Sequence, residues 1–146
     1  MRVLLVEDND NDAVLIREAL SDAGAVVDLD RVASGSDCLD FLRKQGAFSE
    51  AKIPDMILLD LNLPDMGGAD VLRELVKDES IQHIPVIVVS TSDDQYDVLR
   101  MYRLRCSSYV IKPSNFDEYV DVLRTVFAYW SNASVLPNPD GSGSRT

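Results

Sequence analysis

The stretch Met56-Ile57-Leu58-Leu59-Asp60-Leu61-Asn62-Leu63-Pro64-Asp65-Met66-Gly67-Gly68 decides how this chain folds. A continuous apolar run stops on a single carboxylate, Asp60, and turn-forming residues follow at once. Unbroken apolarity over strand length fits a strand buried on both faces, as in a parallel sheet. Asp60 is then held at the mouth of a rigid sheet. A carboxylate placed there can bind a metal, act as a base or attack phosphorus.

Working outward, residues 3–6, 86–89 and 109–111 form similar apolar runs. Residues 26–32 alternate instead, Val27 and Leu29 against Asp28 and Asp30, which suits an edge strand. Between the runs, Ala13, Ile16, Leu20 and Ala23 repeat at helical spacing, as do Leu39 with Leu42, and Val71, Leu72, Leu75 and Val76. Residues 94–103 form a more polar helix. The last helix has Ser114 as its expected cap with Asp117 three residues on. Its apolar stripe is Phe116, Val120, Leu123, Phe127 and Trp130, with Tyr119 and Tyr129 on the flank.

Alternating strands and helices predict an α/β fold, a doubly wound five-stranded parallel sheet with right-handed crossovers. Such sheets carry their ligand site at the carboxyl ends of the strands. Here those ends hold Glu7-Asp8, Asp60, Ser90-Thr91 and Lys112. The folded domain is expected over residues 1–130. Pro137, Pro139, Gly141 and Gly143 mark 131–146 as a flexible tail.

The bulk numbers narrow the function. A chain of 146 residues is one domain by length, and its net charge of −11 disfavours nucleic acid and anionic membranes, which need a basic face. Cys38 and Cys106 have no Cys or His near them in sequence, so they read as reduced thiols. With His83 the one histidine, a zinc site of ordinary composition is excluded. No leader pattern and no apolar run of membrane-spanning length is present, which points to the cytoplasm.

Carboxylates gathered at one sheet edge repel one another unless a cation intervenes. Hard oxygen donors select Mg²⁺, with Mn²⁺ a substitute, over zinc or copper. Asp8 and Asp60 are the expected direct ligands, with the backbone carbonyl of Asn62 and with Glu7 acting through water. Beside a metal, Asp60 is a plausible nucleophile toward a phosphoryl group, because phosphoryl transfer is mostly positioning and charge stabilisation. Lys112 would pair with one phosphoryl oxygen and the Ser90 hydroxyl would donate to another. The Lys112-Pro113 bond is a candidate cis peptide that would aim the lysine inward.

Taken together, Glu7-Asp8, the Asp60 segment, Ser90 at the end of strand four, Tyr109 on strand five and Lys112-Pro113 resemble the receiver domain of two-component response regulators. The resemblance implies a flavodoxin-like sandwich with strand order 2-1-3-4-5. It implies phosphoryl transfer from a phosphohistidine on a sensor histidine kinase to Asp60, reported by reorientation of Ser90 and Tyr109. Thr91 stands where a smaller residue is frequent, so it would narrow access to the phosphate. Glu-Asp-Asn at residues 7–9, Ser90-Thr91-Ser92 and Tyr129-Trp130 with Leu136-Pro137 further resemble the small stand-alone regulators of bacterial phytochromes. That likeness implies a phytochrome kinase as partner and a homodimer through helix four, strand five and helix five.

Other readings are weaker. Asp8-Asn9-Asp10-Asn11-Asp12 opens like an EF-hand loop, but Ala13 and Ala19 stand where Gly and Glu are needed. Asn9 or Asp10 is better read as a helix cap and Asp12 as a charge favouring the positive helix end. Asp60-Leu61-Asn62 also resembles the nucleophile loop of haloacid-dehalogenase-type phosphatases. Asn62 cannot serve as their general acid, so the chain is read as a phospho-acceptor rather than an enzyme. A Mg-dependent aspartyl-phosphate phosphatase and a relay intermediate or phosphate sink are the alternatives. Arg100, Arg103 and Arg105 are a candidate docking surface, and His83 is read as an exposed loop residue.

Overall fold

The computed structural model describes residues 1–139. Gly141 and Gly143, on which part of the flexible-tail reading rests, lie outside the described residues. The elements run β1 (Arg2–Val6), α1 (Asp10–Asp22), β2 (Asp28–Val32), α2 (Gly35–Leu42), a 3₁₀ turn (Gly46–Phe48), β3 (Met56–Asp60) and α3 (Gly68–Lys77). They continue with β4 (Val86–Ser90), α4 (Gln95–Arg103), β5 (Ser108–Ile111), α5 (Phe116–Ala128) and a π-helical turn (Tyr129–Ala133). The strands are parallel in the order β2-β1-β3-β4-β5, as expected.

Alternation along each strand builds two cores. Val3, Leu5, Met56, Leu58, Ile87 and Val89 face α1 and α5, where they meet Ala13, Ile16, Ala19, Leu123 and Phe127. Leu4, Val6, Ile57, Leu59, Val86 and Val88 face the other side and pack on α2, α3 and Met101 of α4. The central strands are apolar throughout because both of their faces are covered. At the sheet edge, β2 alternates between exposed and covered residues. It begins at Asp28 rather than at residue 26 because its register starts at Arg2↔Asp28, leaving no β1 residue opposite Val26. Val26 is 90% exposed.

Two further expectations are corrected. The cap of α5 is Asn115, not Ser114: its side chain accepts the Glu118 N–H at 3.1 Å, and its carbonyl accepts the first helical bond from Tyr119 at 3.1 Å. Tyr119 does not lie on the flank of α5 but is buried in the core shared with α1, whereas Tyr129 is exposed. The α1 cap is Asn9, which accepts the Asp12 N–H at 3.0 Å.

Ile57 is fully buried at the centre of the sheet. Ile57→Ala should cost about 2–5 kcal/mol in urea unfolding, from lost burial plus a cavity. Val26→Ala should stay within about 0.5 kcal/mol of the parent in the same assay.

Candidate functional site

Parallel register brings the chemistry together. Val6 pairs with Leu59, so one step further along each strand Glu7 comes opposite Asp60. Asp60 in turn pairs with Val89, placing Ser90 one step beyond. Lys112 follows directly after Ile111, the partner of Ser90, and its N–H donates to the Ser90 carbonyl at 2.7 Å. The result is an open cavity of about 300 Å³ at the carboxyl ends of β1, β3, β4 and β5. Glu7, Asp8, Asp12, Asp60, Asn62, Ser90, Thr91, Lys112 and Tyr119 line it, over an apolar floor that includes Leu5, Leu58 and Val89.

One carboxylate oxygen from each of Glu7, Asp8 and Asp60 lies within 4.8 Å of the others. The cost is visible at Glu7, whose carboxyl is pushed up to about 8 by burial first, then by its contact with Asp60 and the charge there. Asp60 Oδ1 accepts the Asn62 N–H at 3.1 Å, which fixes the carboxylate against its own loop. Three hard oxygen donors at this spacing, one of them costly to ionise alone, fit a divalent cation of the Mg²⁺ or Mn²⁺ kind. The Asn62 side is also in place, since that residue lines the same cavity.

The loop after β3 is held from both ends. Asp65 accepts the N–H groups of Gly35 and Ser36 at 3.0 and 2.9 Å, so it caps α2 from outside that helix. The Ser36 side chain first, and then these backbone bonds, hold its carboxyl down at about 2. Gly68 packs so closely at the start of α3 that a Cβ there would sit 3.0 Å from the Asp60 carbonyl oxygen and from Leu61 Cα.

The remaining groups divide. Ser90 is buried, and its Oγ accepts the Ser92 N–H at 3.1 Å. Tyr109 does not reach the cavity; its hydroxyl donates to the Ser92 carbonyl at 2.9 Å. Thr91 is exposed at the rim. Among the described residues no peptide bond is cis, so Lys112-Pro113 is trans. The lysine needs no isomerisation to turn inward, because its backbone is tied to Ser90 and its ammonium is drawn 3.5 Å from Asp12. Sequence reading missed Asp12 and Tyr119 as cavity residues and Asp65 as an anchor. Asp12 carried a usable signal, lying four residues after Asp8 in the first turn of α1. Burial, then the charges of Glu7, Asp12 and Asp60, push the Tyr119 hydroxyl well above the ordinary phenol range.

A family model for the response regulator receiver domain matches residues 3–124. The chain belongs to the receiver family. Among relatives, response regulator Rcp1 of Synechocystis sp. is 33% identical over 135 residues, covering 92% of each chain. A solved Mn²⁺-bound form of Rcp1 superposes with a TM-score of 0.85 at 32% identity, covering 94% of this chain and 99% of that one. The phosphorylated cyanobacterial phytochrome response regulator RcpA is similar at 35% identity and TM-score 0.87, and RPA3017, of red light signalling in R. palustris, at 34% and 0.90. Each match covers 94% of this chain and 98% of the other. Receivers accept phosphate on an aspartate, bind a divalent cation at an acidic site and interact with histidine kinases. No described helix of this receiver is long and apolar enough to cross a membrane.

The acidic cluster makes stability and metal affinity depend on pH in opposite senses. With its folded value raised from 4.5 to about 8, Glu7 makes the metal-free fold lose stability as pH rises between those values. Urea midpoints should fall across this window, fall less in Glu7→Gln, and fall less when Mg²⁺ is added, while calorimetry should show Mg²⁺ binding release protons. A pH-independent midpoint in metal-free protein would contradict this account of the cluster.

Asp65 has the reverse sign. Its bonds stabilise the fold above the ordinary 3.8 and are lost as pH falls through about 2. At neutral pH, Asp65→Ala should cost about 1 kcal/mol in denaturant unfolding, the usual worth of a helix N-terminal cap.

Proposed function

We propose that Asp60 accepts a phosphoryl group from a phosphohistidine of a sensor histidine kinase and that the adduct controls a protein–protein contact. The observation that carries this reading is the convergence of Asp60, a lysine, a buried serine hydroxyl and two further carboxylates on one cavity. An Asp60 oxygen attacks phosphorus, the new O–P bond forms as the P–N bond to the kinase imidazole breaks, and the imidazole takes a proton. The Asn62 N–H holds the carboxylate in place for this attack. Ser90 offers its hydroxyl hydrogen to the arriving oxygens, and Lys112 offers its ammonium. Asp8, Asp60, the Asn62 carbonyl and, through water, Glu7 would hold Mg²⁺, or Mn²⁺ in its place. The bound ion would offset negative charge on the transferred group.

Hydrolysis of the adduct is slow in this reading, because Asn62 cannot supply the proton that a turnover phosphatase needs. The chain therefore stores phosphate rather than turning over a substrate. The adduct adds roughly −1.5 to −2 charges at the end of β3. Drawing Ser90 toward that charge moves Ser92, and with it the carbonyl on which the Tyr109 hydroxyl rests. This biases a two-state equilibrium on the face of α4, β5 and α5. That face exposes Tyr96, Leu99, Tyr102 and Ile111. Arg100, Arg103 and Arg105 lie beside them in a chain of net charge −11, which suits a docking or homodimer surface. Likeness to RcpA and RPA3017 supports a bacterial phytochrome as the kinase, and membership of the receiver family accords with the cytoplasm as the place where the two meet. The family match to residues 3–124 supports a receiver over 1–130, with 131–146 as its tail.

Intact mass after incubation with acetyl phosphate and Mg²⁺ should show one added phosphoryl group, absent in Asp60→Asn. Lys112→Ala should slow adduct formation by about tenfold or more, as expected for loss of a charge-stabilising group. A wild-type protein that never takes up the group, with Mg²⁺ binding verified, would refute the acceptor role.

A further inference from the structure

Lys112 does not rest on Asp60. Its ammonium lies 3.5 Å from Asp12 Oδ1 and 5.8 Å from the centroid of the Tyr119 ring. The lysine side chain is only 17% exposed, so much of its hydration is lost and these two groups replace it. Both are fixed. Asp12 stands in the first turn of α1, its N–H bonded to the Asn9 cap at 3.0 Å, and Tyr119 is 2% exposed within the core between α1 and α5.

We propose that Asp12 and Tyr119 are positioning residues that form a holding site for the Lys112 ammonium, keeping it beside the phosphoryl pocket and setting how fast Asp60 is charged. The proposal rests on the acceptor reading of Asp60. A single ammonium cannot stay on Asp12 and also neutralise an arriving phosphoryl group. Attraction to Asp12 therefore stabilises the uncharged protein more than the transition state, and the charging step must overcome it. The Tyr119 ring acts through its face, so its hydroxyl contributes nothing to the holding. Once the adduct exists the lysine has left Asp12, and loss of the phosphoryl group no longer feels that carboxylate.

Two measurements on the full chain test this. The first is labelling of the Lys112 amine by an acetylating ester in Mg-free protein, read by peptide mass. The second is the pair of rates for gain and loss of the adduct with acetyl phosphate, in which an Asp60–phosphorus bond forms as acetate leaves. Removing a half-exposed ion pair should raise labelling and charging in Asp12→Asn by about two- to five-fold. Adduct loss should change by less than charging does. Tyr119→Leu should also raise labelling, while Tyr119→Phe, which keeps the ring, should label like the parent. Unchanged labelling in Asp12→Asn overturns the holding site. So do equal factors on gain and loss, which would mean that Asp12 acts through the general field of the acidic cluster. Tyr119→Phe behaving as Tyr119→Leu overturns the role of the ring. If labelling rises but no variant takes up phosphate, the holding site stands and the acceptor reading fails.

Discussion

Repulsion between carboxylates on adjacent parallel strands is the constraint on which the site depends. Parallel pairing puts neighbouring strands about 4.8 Å apart. The register that buries Leu59 against Val6 must therefore set Glu7 beside Asp60. Neither side chain can swing away without giving up what holds it: Glu7 Oε2 accepts the Asn9 N–H at 3.3 Å, and Asp60 Oδ1 accepts the Asn62 N–H at 3.1 Å. The hydrophobic sheet thus enforces a charge arrangement that is unfavourable by itself. A cation, a proton or a basic side chain can compensate, and the cavity offers a place for each: the three carboxylates for a cation, Glu7 for a proton and Lys112 for the basic group.

The surrounding structure distributes that compensation. Arg31 on the edge strand donates to the Glu7 carbonyl at 2.9 Å and to Asp10 at 2.8 Å, fastening the loop between β1 and α1 on its outer side. Lys112 offsets the inner side through Asp12. Asp65 turns away from the cluster altogether and spends its charge on the N-terminus of α2, where the helix dipole favours it. Of the two aspartates flanking Leu61-Asn62-Leu63-Pro64, one is left with chemistry to do and the other is committed to holding the loop still.

These details show what a sequence can and cannot disclose. Strands β1, β3 and β4 were legible because burial on both faces writes itself as an unbroken apolar run. Asp60, Glu7-Asp8, Ser90 and Lys112 were legible because a strand end is a local feature and parallel topology maps strand ends onto one edge. Tyr119 was not. A tyrosine beside the apolar stripe of an amphipathic helix gives no sign of whether it turns to solvent or under a neighbouring lysine; that depends on how α5 meets α1. The partner of Asp65 was equally hidden, because it lies 30 residues away in the chain. The caps of α5 show a finer limit. Ser114 and Asn115 are both good capping residues, and only the position of the first helical bond chooses between them.

In the proposed switch, Ser92 is the residue through which a change confined to the cavity would be felt outside it. Each of its polar groups is engaged: the N–H on Ser90 Oγ, the carbonyl by the Tyr109 hydroxyl, and its own Oγ on Asp97 of α4 at 2.7 Å. A serine hydroxyl can accept one bond while donating another. Ser90 can therefore turn its hydrogen toward the cavity without first releasing Ser92, and any displacement of Ser90 is passed on as a pull rather than as a broken contact. Because Ser92 joins Tyr109 on β5 to Asp97 on α4, that pull reaches two elements of the exposed face together. The linkage runs through backbone groups of Ser92 as well as its side chain, so the hydroxyls of Ser90 and Tyr109 are the points at which the coupling is most open to being cut.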